Sequence, residues 1–139
     1  MPDSSPPIIV VTAAVIERDG AFLVTRRPDG VHLAGCWEFP GGKCEPGESH
    51  RSCLRREIRE ELHADARVLD EVFSVTHAYH DRVVELHFLR CELAGDPRAA
   101  LGQEMRWVAR DELSALEFPP ADAELIALLR TGRSATTEG

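Results

Sequence analysis

"GGKCEPGESHRSCLRREIREELHA", residues 41–64, sets a turn rich in glycine and proline against a segment crowded with charge. Leu54, Ile58 and Leu62 recur at i, i+4 and i+8, the stripe of a helix with one face in the core. Glu57, Glu60 and Glu61 fall at i, i+3 and i+4, a second stripe spanning roughly 100° and lying about a quarter-turn from the first. Like charges at i, i+4 destabilise a helix by a few tenths of a kcal/mol, so this packing calls for a compensating charge. Arg55, Arg56 and Arg59 would supply it on a solvated face; a divalent cation would supply it in a site. Hard oxygen donors on one patch suit Mg²⁺ or Mn²⁺, not zinc. The helix alone leaves both readings open.

Outward from this stretch the chain alternates between strand and turn signals. Residues 1–7 are a polar, proline-rich lead-in, expected to be flexible. "IIVVTAAVIE" (8–17) is a continuous β-branched run suited to a strand buried on both faces. "RDG" (18–20) turns it into "AFLVTRR" (21–27), a hairpin. Beyond the helix, expected over about 49–62, strands are expected at 68–76, 83–93 and 105–109, with "GDPR" (95–98) breaking the second. "FPP" (118–120) precedes a terminal helix at 121–130, ending at Gly132, with Leu125, Ile126, Leu128 and Leu129 on its apolar face. Residues 133–139 are expected to form a flexible tail. Strands, helix, strands, helix imply an α/β domain, a mixed sheet with helices on its faces.

At 139 residues, 43% hydrophobic and 29% charged, the chain is expected to be a single domain able to bury its own core. A net charge of −8 argues against a nucleic acid polymer, whose affinity comes mostly from Lys and Arg on phosphates. A small anion remains accessible if metal ions bridge it. Cys36, Cys44, Cys53 and Cys91 form no CxxC pair, so they read as reduced thiols rather than a zinc site. No apolar run reaches the roughly 18 residues of a membrane span, and "MPDSSPP" lacks the basic start of a signal peptide. The expectation is a cytoplasmic protein with no membrane partner, monomer or homodimer.

Residues 42–64 fit the pattern G-x5-E-x7-R-E-U-x-E-E-x-G-U, with U apolar, at every position but one: Gly42, Glu48, Arg56, Glu57, Ile58, Glu60, Glu61 and Ala64. This resembles the Nudix box, the signature of the Nudix hydrolases. The six matching fixed residues would arise by chance on the order of once in ten million starts, so the match is specific. "TRRPDG", "WEFPGGK", "GQEMRWV" and "FPPAD" extend the resemblance to the MutT type across most of residues 10–129.

The resemblance implies an α/β/α sandwich that cleaves a nucleoside triphosphate to a monophosphate and pyrophosphate with Mg²⁺, with Mn²⁺ as a substitute. By match to the family, Glu57, Glu60 and Glu61 would hold metal or activate water, Glu57 standing at a proposed base. The Gly41 carbonyl would add a ligand, and Glu48 and Arg56 would brace loop against helix. Arg26 or Arg27 would grip phosphate, Phe39 would flank the base, and Arg82 and Asp122 would contact it. An ionised Asp only accepts hydrogen bonds, so Asp122 would choose a base edge presenting donors. Its alternative is a helix cap.

Two positions depart from the family pattern. His63 stands where the box has Gly, a left-handed position that costs a non-glycine residue about 1–2 kcal/mol. Leu101 stands where some MutT-like enzymes carry a further carboxylate, for which Glu104 is the nearest replacement. Oxidised dGTP (8-oxo-dGTP) is the expected substrate, with CTP or 5-methyl-dCTP as the alternative. A non-catalytic base-reading module would lose the carboxylates, and here the set is complete.

Overall fold

The computed structural model describes residues 6–31 and 33–131. Gly132, the tail and residues 1–5 of the lead-in lie outside the described residues. Within them run seven strands: β1 (Ile8–Arg18), β2 (Ala21–Arg26), β3 (Trp37–Glu38), β4 (Gly41–Lys43), β5 (Asp65–Ala78), β6 (Val83–Ala94) and β7 (Met105–Ala109). There are two α-helices, α1 (His50–Leu62) and α2 (Ala123–Arg130). The lead-in is tied at its end, where the Pro7 carbonyl accepts from the Val83 N–H at 2.9 Å.

β1 organises the sheet. Residues 8–16 run parallel to β6, its middle also pairs antiparallel with β4, and its end forms the hairpin with β2. The path β3-β2-β1-β6-β5 is completed by β7 alongside β2. The hairpin is closed by Asp19 and Gly20, both with positive φ (51° and 79°), a primed turn whose twist matches the strands it joins.

Alternation along β1 and β2 divides the core in two. Ala13, Val15, Phe22 and Val24 face Leu125, Ile126 and Leu129 of α2, with Trp37, Phe39 and Phe88 between them. Ala14, Ile16 and Leu23 face Leu54, Ile58 and Leu62 of α1. Thr12 to Ile16 are buried in succession, as a strand covered on both faces requires. The result is the expected α/β/α arrangement with a mixed, mostly antiparallel sheet. Among the described residues no helix is long and apolar enough to cross a membrane.

α1 starts at Ser49, whose hydroxyl accepts from the Ser52 N–H at 3.1 Å. It ends at His63, in left-handed conformation (φ 50°, ψ 40°), with its N–H bonded to the Arg59 carbonyl. The side chain is exposed, so nothing in the core holds it there. His63→Gly is expected to stabilise the protein by roughly 0.5–2 kcal/mol by removing this strain, with activity unchanged. A thermal melt checks it; a lower melting temperature would show that the imidazole makes a stabilising contact.

Candidate active site

Above the centre of the sheet lies an open cleft of about 510 Å³. Gly41, Gly42, Glu57 and Glu61 line one end of its wall; Arg82, Pro119, Ala121 and Asp122 also border it, with Val84, Leu86 and Phe88 of β6 among the apolar residues.

The acidic end is built by α1 pressing against β4. A Cβ on Gly42 would run into the Glu57 carboxylate, and one on Gly41 would overlap the Thr12 carbonyl, so both positions need glycine for close approach. Arg56 holds the assembly together. Its Nε and Nη2 donate to the two Glu48 oxygens at 2.8 and 2.9 Å, its Nη1 donates to Glu57 Oε2 at 2.9 Å, and Nη2 also reaches the Lys43 carbonyl at 3.1 Å. This fork, with the Glu45 N–H, holds the Glu48 carboxyl down at about 2. Bracing of loop against helix is therefore visible in the geometry.

Glu61 is the opposite case. Burial, the adjoining Glu57 and the charge of Glu38 push its carboxyl up to about 9 without metal, against a smaller pull from the Gly41 backbone. Two carboxyls forced together under a glycine strand cannot both ionise near neutral pH without an added positive charge. That donor set fits a hard divalent cation.

Other expected residues divide between inside and outside the cleft. Glu60 is half-exposed, 3.4 Å from Arg56, and does not line it. Arg27 lines it and pairs with Glu38 at 2.8 Å. Arg26 does not; it meets Glu104 at 3.2 Å. Glu104, expected at the metals, thus turns to Arg26 and to Arg106 at 3.5 Å, where opposite charge offers it partners. Leu101 is exposed. Phe39 lines the cleft as a core residue, its ring stacked on Phe118 at 5.4 Å and edge-on to Phe88. Arg82 lines it from the 79–82 turn.

Asp122 is 5% exposed and makes no capping hydrogen bond to α2, which removes the cap alternative. Burial, then the charge of Glu38, raise its carboxyl to about 7. The sequence reading took Asp122 as ionised; with its carboxyl raised to about 7, the protonated form is also populated near neutral pH. Glu38, which acts on both Glu61 and Asp122, escaped the sequence reading. Trp37 points into the core while Glu38 lines the cleft, and a strand of two residues carries too little periodicity for the sequence to have shown it. Burial raises the Glu38 carboxyl too, with Arg27 opposing.

A fold of this topology, with a loop–helix pair converging carboxylates on one cleft, is a Nudix architecture. The NUDIX domain model matches residues 11–128, and the chain belongs to the Nudix hydrolase family, whose members generally use a divalent metal. It is 40% identical to the CTP pyrophosphohydrolase of Escherichia coli K12 over 131 residues, covering 92% of this chain and 96% of that protein. It is 36% identical to the 8-oxo-dGTP diphosphatase of Haemophilus influenzae over 121 residues, covering 86% and 89% respectively. The solution structure of the E. coli ORF135 protein superposes over the whole of both chains with a TM-score of 0.85 at 37% identity.

Proposed function

We propose that the enzyme hydrolyses nucleoside triphosphates to a monophosphate and pyrophosphate with Mg²⁺, and takes oxidised dGTP as its preferred substrate. The observation that carries this reading is Asp122, a buried carboxyl without a cap bond, bordering the same cleft as Glu57 and Glu61.

Glu57, Glu61 and the Gly41 carbonyl would hold the metal, with Glu60 at the edge. Bound there, Mg²⁺ or Mn²⁺ would supply positive charge to the phosphate oxygens and acidify the attacking water. Arg56 fixes the rotamer of Glu57 through its 2.9 Å hydrogen bond to Oε2, which would leave the other carboxylate oxygen to hold metal or to accept a proton from the attacking water. Arg27 offers its guanidinium to phosphate from the cleft wall.

At the base end, a carboxyl near pH 7 exists in two forms. Protonated, Asp122 presents a donor beside an acceptor; ionised, it presents acceptors alone. Unoxidised guanine shows acceptors at both N7 and O6. Oxidation at C8 makes N7 an N–H donor beside the O6 acceptor, the complement of a carboxylic acid. Cytosine offers a similar pair, its N4 amino group beside N3. That similarity, with the name of the E. coli relative, supports CTP or 5-methyl-dCTP as the second reading.

The sign of the pH dependence follows. The acid form dominates below about 7 and is lost above it. The ratio of kcat/KM for 8-oxo-dGTP over dGTP is expected to fall about tenfold or more from pH 6 to 8.5. Taking the ratio cancels pH effects on the chemical step. In Asp122→Asn, which donates and accepts at every pH, the ratio should stay flat. A panel of 8-oxo-dGTP, dGTP, CTP, 5-methyl-dCTP and ADP-ribose with Mg²⁺ ranks the substrates. Preference for ADP-ribose, or a ratio as pH-dependent in the Asn variant as in wild type, would overturn the reading.

A further inference from the structure

A second cluster of ligand-type side chains lies on the other face of β6. Val84, Leu86 and Phe88 point into the nucleotide cleft, so alternation sends Glu85 and His87 toward α1. There His87 Nδ1 meets Glu71 Oε1 at 2.7 Å, and its Nε2 meets Glu85 Oε1 at 3.0 Å. His50, the first residue of α1, lays its ring against that of His87 with centroids 4.2 Å apart. One donor atom from each of His50, Glu71 and His87 can be chosen so that all lie within 4.8 Å of one another. The β5–β6 register shifts on both sides of Glu71, a bulge of the kind that re-aims a side chain.

We propose that His50, Glu71 and His87 form a zinc site separate from the nucleotide cleft. Two imidazoles and one carboxylate are a zinc donor set, with water in the fourth position. Tetrahedral bonds of about 2.0–2.1 Å place ligand atoms roughly 3.3 Å apart, which small rotations of these side chains reach. Glu85 is the outer carboxylate: its hydrogen bond to Nε2 fixes the His87 tautomer and ring so that Nδ1 faces the ion. The hydrogen bond from Nδ1 to Glu71 is the contact the ion replaces. His50 has no side-chain hydrogen bond among the described residues, so its ring nitrogens are available. His87 is only 14% exposed at its side chain, which shields the ion from bulk water. The ion would pin the start of α1 to β5 and β6, bracing the helix that carries Glu57 and Glu61.

The test is zinc titration of the whole, chelator-treated protein by calorimetry, with excess Mg²⁺ present to occupy the nucleotide site. One equivalent of Zn²⁺ is expected, with a melting temperature raised by roughly 5 °C when the site is filled. Replacing Zn²⁺ by Co²⁺ should give the visible absorption of a four-coordinate ion. Glu85→Gln should weaken binding about tenfold or more, as loss of an outer carboxylate does. His50→Gln and His87→Gln should abolish it, whereas Glu61→Gln should leave it unchanged. His50 sits at an accessible helix start, so its variant decides the matter even if His87→Gln fails to fold. Zinc uptake that survives His50→Gln, or that disappears with Glu61→Gln, would overturn the proposal.

Discussion

Glu61→Gln is expected to cut kcat by roughly 100-fold or more at saturating Mg²⁺ while the fold stays intact. The amide keeps the shape of the side chain but cannot ionise, so a metal under β4 would lose one of the two carboxylates that Glu57 and Glu61 offer it. Retention of more than about a tenth of kcat would remove Glu61 from the metal-holding set. Stability should move the other way. In the metal-free protein the Glu61 carboxyl rises from 4.5 to about 9, so the folded state holds the extra proton between these values. Stability of the wild type therefore falls as pH rises across that window. The Gln variant lacks this slope, and its metal-free melting temperature should exceed that of the wild type near pH 9 and converge with it near pH 5. Parallel melts at the two pH values, in chelator, check the sign.

Alanine at the two adjacent glycines should separate folding from chemistry. A methyl group at Gly41 meets backbone, the Thr12 carbonyl in the middle of β1, which cannot move without disturbing the sheet. Gly41→Ala is expected to destabilise by roughly 2–4 kcal/mol, at the upper end of overpacking costs. At Gly42 the obstacle is the end of the Glu57 side chain, which can swing away. Gly42→Ala should leave most of the stability but lower kcat/KM about 10- to 100-fold, because the carboxylate leaves its place beside Arg56. Similar stability losses at both positions, or full activity in Gly42→Ala, would show that the approach of β4 to α1 does not set the carboxylate position.

Much of this was legible in the residues, and the failures share a cause. The apolar stripe of α1, the Asp19–Gly20 turn and the left-handed His63 all follow from local rules acting within a few residues. β3 and β4 were read as loop because two or three residues carry no periodicity; they are strands only through pairing with β2 and β1. β5 begins at Asp65 rather than Val68 because a polar start is tolerated where it pairs with β6 alone. Glu104 sits near the expected position in sequence, but the nearby Arg26 and Arg106 claim it. The proton on Asp122 depends on burial and on Glu38 of β3, a neighbour that spacing along the chain does not report. The His50–Glu71–His87 cluster joins residues from three elements and is visible only in the fold.

The two ends of the cleft come from different parts of the chain. Gly41, Gly42, Glu57 and Glu61 border it from β4 and α1, while Arg82 borders it from the 79–82 turn and Pro119, Ala121 and Asp122 from the segment before α2. On the proposed function, substitutions in those two short segments are expected to change which base is preferred while leaving the metal-holding residues in place.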